Sequence, residues 1–211
     1  MSAAQAIHIV GISGSLRPMS FTRLAIQTAL RGAEQVGAQS RMLDLNDYGL
    51  EFSDVTLPPS PGVLRLRQDV QQAQGIILGT PEYHSSYSGV LKHALDLMGF
   101  EQFEGKIIGL VGISGGNLGA INALNSLRIV CRSLHAWVVP EQISIGHGSK
   151  QFNPDGEPLS ADLEASLLEM GRQVARFSYL HHSQQALEFL RLWEVAPQNP
   201  GGDESFRREN A

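Results

Sequence analysis

Two stretches of this sequence bring together side chains able to hold a small molecule that is both anionic and aromatic. The first is Gly14-Ser15-Leu16-Arg17-Pro18-Met19-Ser20-Phe21-Thr22-Arg23. The hydroxyls of Ser15, Ser20 and Thr22 can donate to phosphate oxygens, and Arg17 can add a charge-assisted pair. A helix opening near Thr22 would contribute unpaired N–H groups and a partial positive charge. A triphosphate-binding P-loop is excluded, because it needs a lysine followed by Ser or Thr at its end. An ordinary loop in which Ser20 caps the helix is the plainer alternative. The second stretch is Thr80-Pro81-Glu82-Tyr83-His84-Ser85-Ser86-Tyr87-Ser88-Gly89. Tyr83 and Tyr87 can wall a flat heteroaromatic ring, while backbone groups meet its edge and Gly89 permits close approach. His84 reads equally as a ring contact and as an exposed loop histidine. Glu82 can simply order its own loop by accepting from backbone N–H groups, and His93 reads as a helix-surface residue.

A third stretch, Gly112-Ile113-Ser114-Gly115-Gly116, matches the G-x-S-x-G elbow of serine hydrolases. Asp155 or Asp162 and His181 or His182 follow in the required chain order. Such a match arises easily in a chain with 22 glycines, and it leaves the other two loops unexplained. Ser114-x-Gly116-x-x-Gly119, with Glu141 beyond it, falls one residue short of the dinucleotide fingerprint. Close packing of a helix on a sheet accounts for those glycines better. Adjacent His181 and His182 point about 100° apart on a helix, with no Cys or carboxylate converging on them, so the sequence predicts no metal site.

These loops need a frame. Short apolar runs at 7–12, 41–45, 75–80, 106–111 and 136–139 read as strands, the last resuming at 142–145 after Pro140. Between them, 22–36, 63–73, 87–98 and 118–134 carry helical spacing, and 160–180 is a last long helix capped by Ser160. Residues 181–193 can extend that helix. The three prolines in 54–62 mark a loop. Strands alternating with helices predict an α/β domain with a parallel sheet covered on both faces. Five strands in one domain suggest the order 2-1-3-4-5, with a crevice at the carboxyl ends of strands one and three. Both loops follow those strands. The predicted domain spans 1–193, and 194–211, rich in Pro, Gly and charge, reads as a mobile tail.

Composition narrows the partners. The 211 residues carry a formal charge of −5, which gives no general attraction to nucleic acid or an anionic membrane. No apolar run approaches the ~18 residues of a membrane span, and the N-terminus lacks a secretory pattern. The single Cys131 sits in an apolar stretch and reads as a buried, inert thiol, which suits the reducing cytoplasm.

The motifs Gly14-Ser15-Leu16-Arg17-x-x-Ser20-x-Thr22-Arg23, Pro81-Glu82-Tyr83-His84-x-Ser86-x-Ser88-Gly89-x-Leu91-Lys92-His93-Ala94-Leu95-Asp96 and Ser114-Gly115-Gly116 resemble those of the NADPH-dependent FMN reductase family. The loop Phe152-Asn153-Pro154-Asp155-Gly156 is similar too, and the resemblance covers about residues 7–180. It implies a flavodoxin-like three-layer sandwich, FMN as cofactor, NADPH or NADH as donor, and a quinone, free flavin, azo dye or metal oxyanion as acceptor. It implies that Ser15, Arg17, Ser20 and Thr22 bind the FMN phosphate and that Phe21 also contacts the cofactor. Pro81, Glu82, Tyr83 and His84 would line the ring, and Ser114, Gly115 and Gly116 would approach its pyrimidine edge. It further implies a homodimer or homotetramer, with the flavin rather than a side chain as the catalytic group. The family more often carries asparagine at the positions of His84 and His93, and proline at that of Ser88. A non-enzymatic FMN electron carrier is the remaining alternative, although such carriers have a threonine-rich phosphate loop without the arginine.

Overall fold

A computed structural model describes residues 6–52 and 58–196. Six strands form: β1 (His8–Ser13), β2 (Gln39–Leu43), β3 (Gly75–Tyr83), β4 (Ser86–Tyr87), β5 (Ile107–Ile113) and β6 (Trp137–Ile145). Five are parallel in the order β2-β1-β3-β5-β6, the doubly wound order expected, and the sixth, β4, pairs antiparallel with the end of β3. Seven α-helices accompany them among the described residues: α1 (Phe21–Glu34), α2 (Pro61–Gln71), α3 (Gly89–Asp96), α4 (Phe100–Phe103), α5 (Ile121–Ser133), α6 (Ala161–His182) and α7 (Gln184–Glu194).

The two-residue period of the strands divides the core into two layers. Val10, Ile12, Ile76, Leu78, Ile108 and Leu110 point to one face and pack with α2, α3, α4 and α5. Ile9, Ile77, Ile107 and Val111 point to the other and pack with α1 and α6. Cys131 lies in the first layer, where burial pushes its thiol up to about 12. Lys106, also buried, donates from Nζ to the carbonyls of Val70, Gln71 and Ala73 at the end of α2, and desolvation pushes its ammonium down to about 8.

Four of the boundaries that differ from the sequence pattern have a clear local reason. Helix α2 begins at Pro61, because Ser60 caps it and the first helical position suits proline. Residues 53–57 of the predicted proline loop lie outside the described residues, as do 197–211 of the predicted tail. Tyr87 is not helical: Ser86 and Tyr87 turn back on β3, and Ser88 caps α3. Pro140 does not break the last strand. β6 is an edge strand, and a register shift between Ile108 and Leu110 absorbs the missing donor. At the far end, Ser183 stops α6 and caps a separate helix, so residues 184–194 form α7 instead of extending α6.

Two details fix the loops beyond β1 and β3. The β3–β4 hairpin closes through His84 and Ser85, at φ 51° and 63°. Two left-handed residues in a two-residue loop are the geometry of a type I′ turn, which favours asparagine or glycine. The neighbouring loops are also bonded to each other. The Gly14 N–H donates to the Gly79 carbonyl at 2.7 Å, extending the β1–β3 ladder. Ser88 Oγ donates to the Gly14 carbonyl at 2.6 Å and accepts from the Leu91 N–H at 3.2 Å. The Ser88 N–H donates to Thr80 Oγ1 at 2.9 Å, and that hydroxyl donates to the Pro81 carbonyl at 2.8 Å. Glycine is required at 14, since a Cβ there would stand 2.6 Å from Ser88 Oγ and 2.8 Å from Leu91 Cβ.

Ser88→Ala removes a helix cap and strands the buried Gly14 carbonyl, so it should cost about 2–4 kcal/mol in urea unfolding. Ser85→Gly relieves a left-handed L-residue and should stabilise the protein by roughly 0.5–1 kcal/mol, read as a rise in Tm.

Candidate active site

The carboxyl ends of β1, β3 and β5 open onto a cleft of about 210 Å³. Its walls come from the loop after β1, the end of β3, the loop after β5 and the loop after β6. Ten of the twelve sequence candidates line it: Ser15, Arg17, Ser20, Phe21, Thr22, Pro81, Glu82, Tyr83, Ser114 and Gly115. His84 sits at the hairpin turn, and Gly116 one residue past the lining.

The β1 side presents donors and no negative charge. Ser20 caps α1 by accepting from the Arg23 N–H at 3.3 Å, and no acidic residue stands in the first turn. Ser15, Ser20 and Thr22 are buried, yet Thr22 Oγ1 makes no hydrogen bond among the described residues. Arg17 is exposed, and no carboxylate among the described residues pairs with it. Arg23, by contrast, is held by Asp44 at 2.7 Å, which ties α1 to the end of β2. A helix N-terminus with free N–H groups, buried hydroxyls and an uncommitted guanidinium fits a phosphate dianion.

The β3 and β5 sides supply flat and apolar walls: Pro81, Tyr83 and Ile113 line the cleft with Phe21. Phe21 is backed by Phe152, with ring centroids 6.0 Å apart and planes 19° from parallel. This gives the loop at 152–156 its role. Arg31 clamps that loop to α1 through two bonds to Glu157, at 2.7 and 2.6 Å, and the pair holds the Glu157 carboxyl below the usual range. Glu82 lines the cleft, while its carboxylate accepts from the Ala123 N–H at 3.0 Å. It therefore serves the N-terminus of α5, whose own cap residue, Ala120, provides no side-chain bond.

Other side chains depart from the sequence reading. Tyr87 packs against the α5-side core and does not line the cleft. His93 is half-buried, its ring 4.4 Å from that of Phe52, and so is no simple surface residue. Met19, Ile113, Gly148 and Ser149 line the cleft without having been candidates. Met19 lies inside the first motif and Ile113 inside the third. Nothing local in the sequence signals Gly148 and Ser149. They arrive by a tertiary contact, in which the Gly148 N–H donates to the Ser114 carbonyl at 3.0 Å and the His147 N–H to the Gly116 carbonyl at 3.1 Å.

The hydrolase arrangement is not assembled. Ser114 Oγ turns onto its own loop, accepting from the Gly116 N–H and donating to the Gly116 carbonyl, both at 3.2 Å. His181 lies 6.0 Å from the Trp137 ring and His182 bonds the Ser178 carbonyl, both at the end of α6. The glycine fingerprint is packing: Gly119 has φ 66°, and a Cβ there would collide with Ser144 Oγ.

Comparison with known proteins agrees with this geometry. The family model for NADPH-dependent FMN reductases matches residues 7–150. The chain is 28% identical over 182 residues to the NADPH-dependent FMN reductase ArsH of Shigella flexneri, an alignment covering 84% of this chain and 71% of that protein. It is 41% identical over 123 residues to an FMN-dependent NADPH-azoreductase of Staphylococcus aureus, covering 56% of this chain and 64% of that one. It thus spans less than two thirds of the azoreductase. Among solved structures, the flavoenzyme NAD(P)H:(acceptor) oxidoreductase FerB of Paracoccus denitrificans superposes with a TM-score of 0.68 at 21% identity. That match covers 83% of this chain and 99% of FerB, and carries the fold. With more than half its length matched by the family model, this chain belongs to the NADPH-dependent FMN reductase family.

Proposed function

We propose that this chain holds FMN in the cleft and passes electrons from NAD(P)H to a small acceptor such as a quinone, a free flavin, an azo dye or a metal oxyanion. The observation that carries this reading is the acid-free N-terminus of α1 beside the unpaired Arg17, in the same cleft as Pro81 and Tyr83. The azo dye enters through the staphylococcal relative's name. The flavin, when bound, supplies the hydride and electron chemistry. The protein's residues bind and orient. Arg17, Ser15, Ser20 and Thr22 hold the phosphate, with Phe21 at the base of that wall. Pro81, Glu82, Tyr83 and His84 border the ring. Ser114, Gly115 and Gly116 approach its pyrimidine edge, where the Gly115 N–H has no hydrogen-bond partner among the described residues. The Gly116 N–H is already bonded to Ser114 Oγ at 3.2 Å. No side chain has to act as acid or base.

A cleft of about 210 Å³ is smaller than the roughly 300–1,000 Å³ of enclosed ligand pockets. Met19 and Tyr83 at its rim are 74% and 47% exposed. Both facts support a homo-oligomer in which a second copy closes the cleft. The buried, unreactive Cys131 is consistent with work in a reducing cytoplasm.

The purified protein should bind FMN and show a flavin absorption band that bleaches on anaerobic addition of NADPH and returns with a quinone. Failure to bind added FMN would reject the reading. Arg17→Ala should weaken FMN by about 1.5–3 kcal/mol, roughly 10- to 150-fold in Kd by fluorescence titration, and unchanged affinity would remove Arg17 from the phosphate site.

A further inference from the structure

The cations of this chain are mostly committed. Among the described residues, every lysine and arginine except Arg17, Arg132 and Lys150 bonds a carboxylate or a backbone carbonyl. Arg132 stands in the last turn of α5, at the end of that helix remote from the cleft. The other two border the cleft: Arg17 lines it, and Lys150 directly follows Ser149, which lines it. In a chain of formal charge −5, two uncommitted cations at one opening make that opening locally attractive to anions. Arg17 is taken by the flavin phosphate in the function proposed above, which leaves Lys150 for a second anion.

The segment that carries Lys150 is held in place. The His147 N–H donates to the Gly116 carbonyl at 3.1 Å, and the Gly148 N–H to the Ser114 carbonyl at 3.0 Å. The Lys150 N–H closes the turn on the His147 carbonyl at 2.7 Å, and Gln151 Nε2 donates to the Gly146 carbonyl at 3.1 Å. His147 holds φ 48° between two glycines, so an L-residue bears the left-handed turn that follows β6. Ser149 and Lys150 are exposed, and neither side chain has a partner among the described residues. The sequence from 142 to 154 contains no carboxylate. Asp155 and Glu157, which come next, line a different groove along α1, where Arg31 pairs with Glu157 at 2.6 Å. A hydroxyl and an ammonium therefore stand side by side on the rim, with no acid on their loop.

We infer that Ser149 and Lys150 form a second anion subsite, which takes a phosphate group of the dinucleotide donor. The inference rests on the flavin reading above. A cleft of about 210 Å³ is too small to enclose a flavin and a dinucleotide together. The nicotinamide alone reaches the ring, and the donor's phosphates lie across the rim. There Ser149 and Lys150 supply a neutral donor and a charge-assisted one. NAD(P)H carries two groups of this chemistry, the pyrophosphate and the 2′-phosphate, and a lysine serves either as a compact point charge.

The test uses the full chain loaded with oxidised FMN, titrated with NADP+ and with NAD+ in a calorimeter. Lys150→Ala should keep the FMN stoichiometry and raise the dissociation constant of NADP+ roughly 5- to 10-fold. Its binding should also lose part of the salt dependence of the wild type, and Lys150→Arg should restore both. A loss for NADP+ alone assigns the 2′-phosphate, and an equal loss for NAD+ assigns the pyrophosphate. Unchanged constants for both dinucleotides would overturn the subsite, including the case in which Lys150→Ala raises only the KM for chromate, which places an anionic acceptor there. A variant that no longer holds FMN would overturn it as well, by placing Lys150 on the flavin. Wild type that binds no FMN rejects the flavin reading as a whole. Wild type that binds FMN, with a variant that binds both dinucleotides equally well, rejects this subsite alone.

Discussion

The hydrogen bond from Ser88 Oγ to the Gly14 carbonyl bridges the point where this sheet divides. After β1 the chain turns to the face covered by α1, and after β3 it turns to the face covered by α3. Neighbouring strands whose helices leave on opposite faces must part at their carboxyl ends, and the gap is where a ligand can lie. A gap alone has no fixed width. Here a buried bond spans it, with the Gly14–Gly79 ladder bond on one side and the Thr80 hydroxyl on the other. Because the serine is buried, water does not compete, and losing the bond would leave an unsatisfied carbonyl. The direction of α1 and the seat of the β3–β4 hairpin both follow from it. Proline could not stand at 88 without losing both the side-chain bond and the N–H donated to Thr80 Oγ1.

Electrostatics then select which end of the cleft takes the negative charge. Two helices, α1 and α5, present their N-termini to the cleft region. At α5, the Glu82 carboxylate accepts from the Ala123 N–H, so a negative charge already occupies that dipole end. At α1, the cap is a neutral serine and the first turn carries no acid. In a chain of formal charge −5, this leaves a local positive spot with Arg17 over it. Arg23 is equivalent by residue type, but its ion pair with Asp44 removes it from the competition. The two helix N-termini are thus distinguished by where one carboxylate goes.

The parts of this architecture that depend on local periodicity could be read directly from the residues. Ile7 to Ile12 and Gly75 to Thr80 are apolar, β-rich runs, and the loops that follow them hold most of the cleft. What escaped was decided at a distance or by a competing local rule. Tyr87 reads in sequence both as the start of a helically spaced stretch and as a wall for a flat ring. The left-handed pair His84 and Ser85 turned it onto the core instead. Gly148 and Ser149 join the site through bonds to the backbone of Ser114 and Gly116, and no pattern in their own segment encodes that. Pro61 and Pro140 looked like breaks but occupy the positions where a helix start and an edge strand accept proline. Ser183 interrupts two stretches that are each helical, and only its capping bond reveals the corner.

The length of α6 settles two questions together. Its 22 residues span about 33 Å, from the cleft end of the sheet to the opposite end. His181 and His182 therefore stand a full domain away from Ser114, so the G-x-S-x-G match has chain order without geometry. A catalytic triad needs contact at hydrogen-bond range, and no side-chain rotation recovers that distance. The same span carries the chain clear of the cleft before α7 begins. The cleft lies where the strands end, because there the sheet divides. The α6–α7 corner at Ser183 lies where the strands begin, and a change at one end leaves the hydrogen bonds that define the other intact.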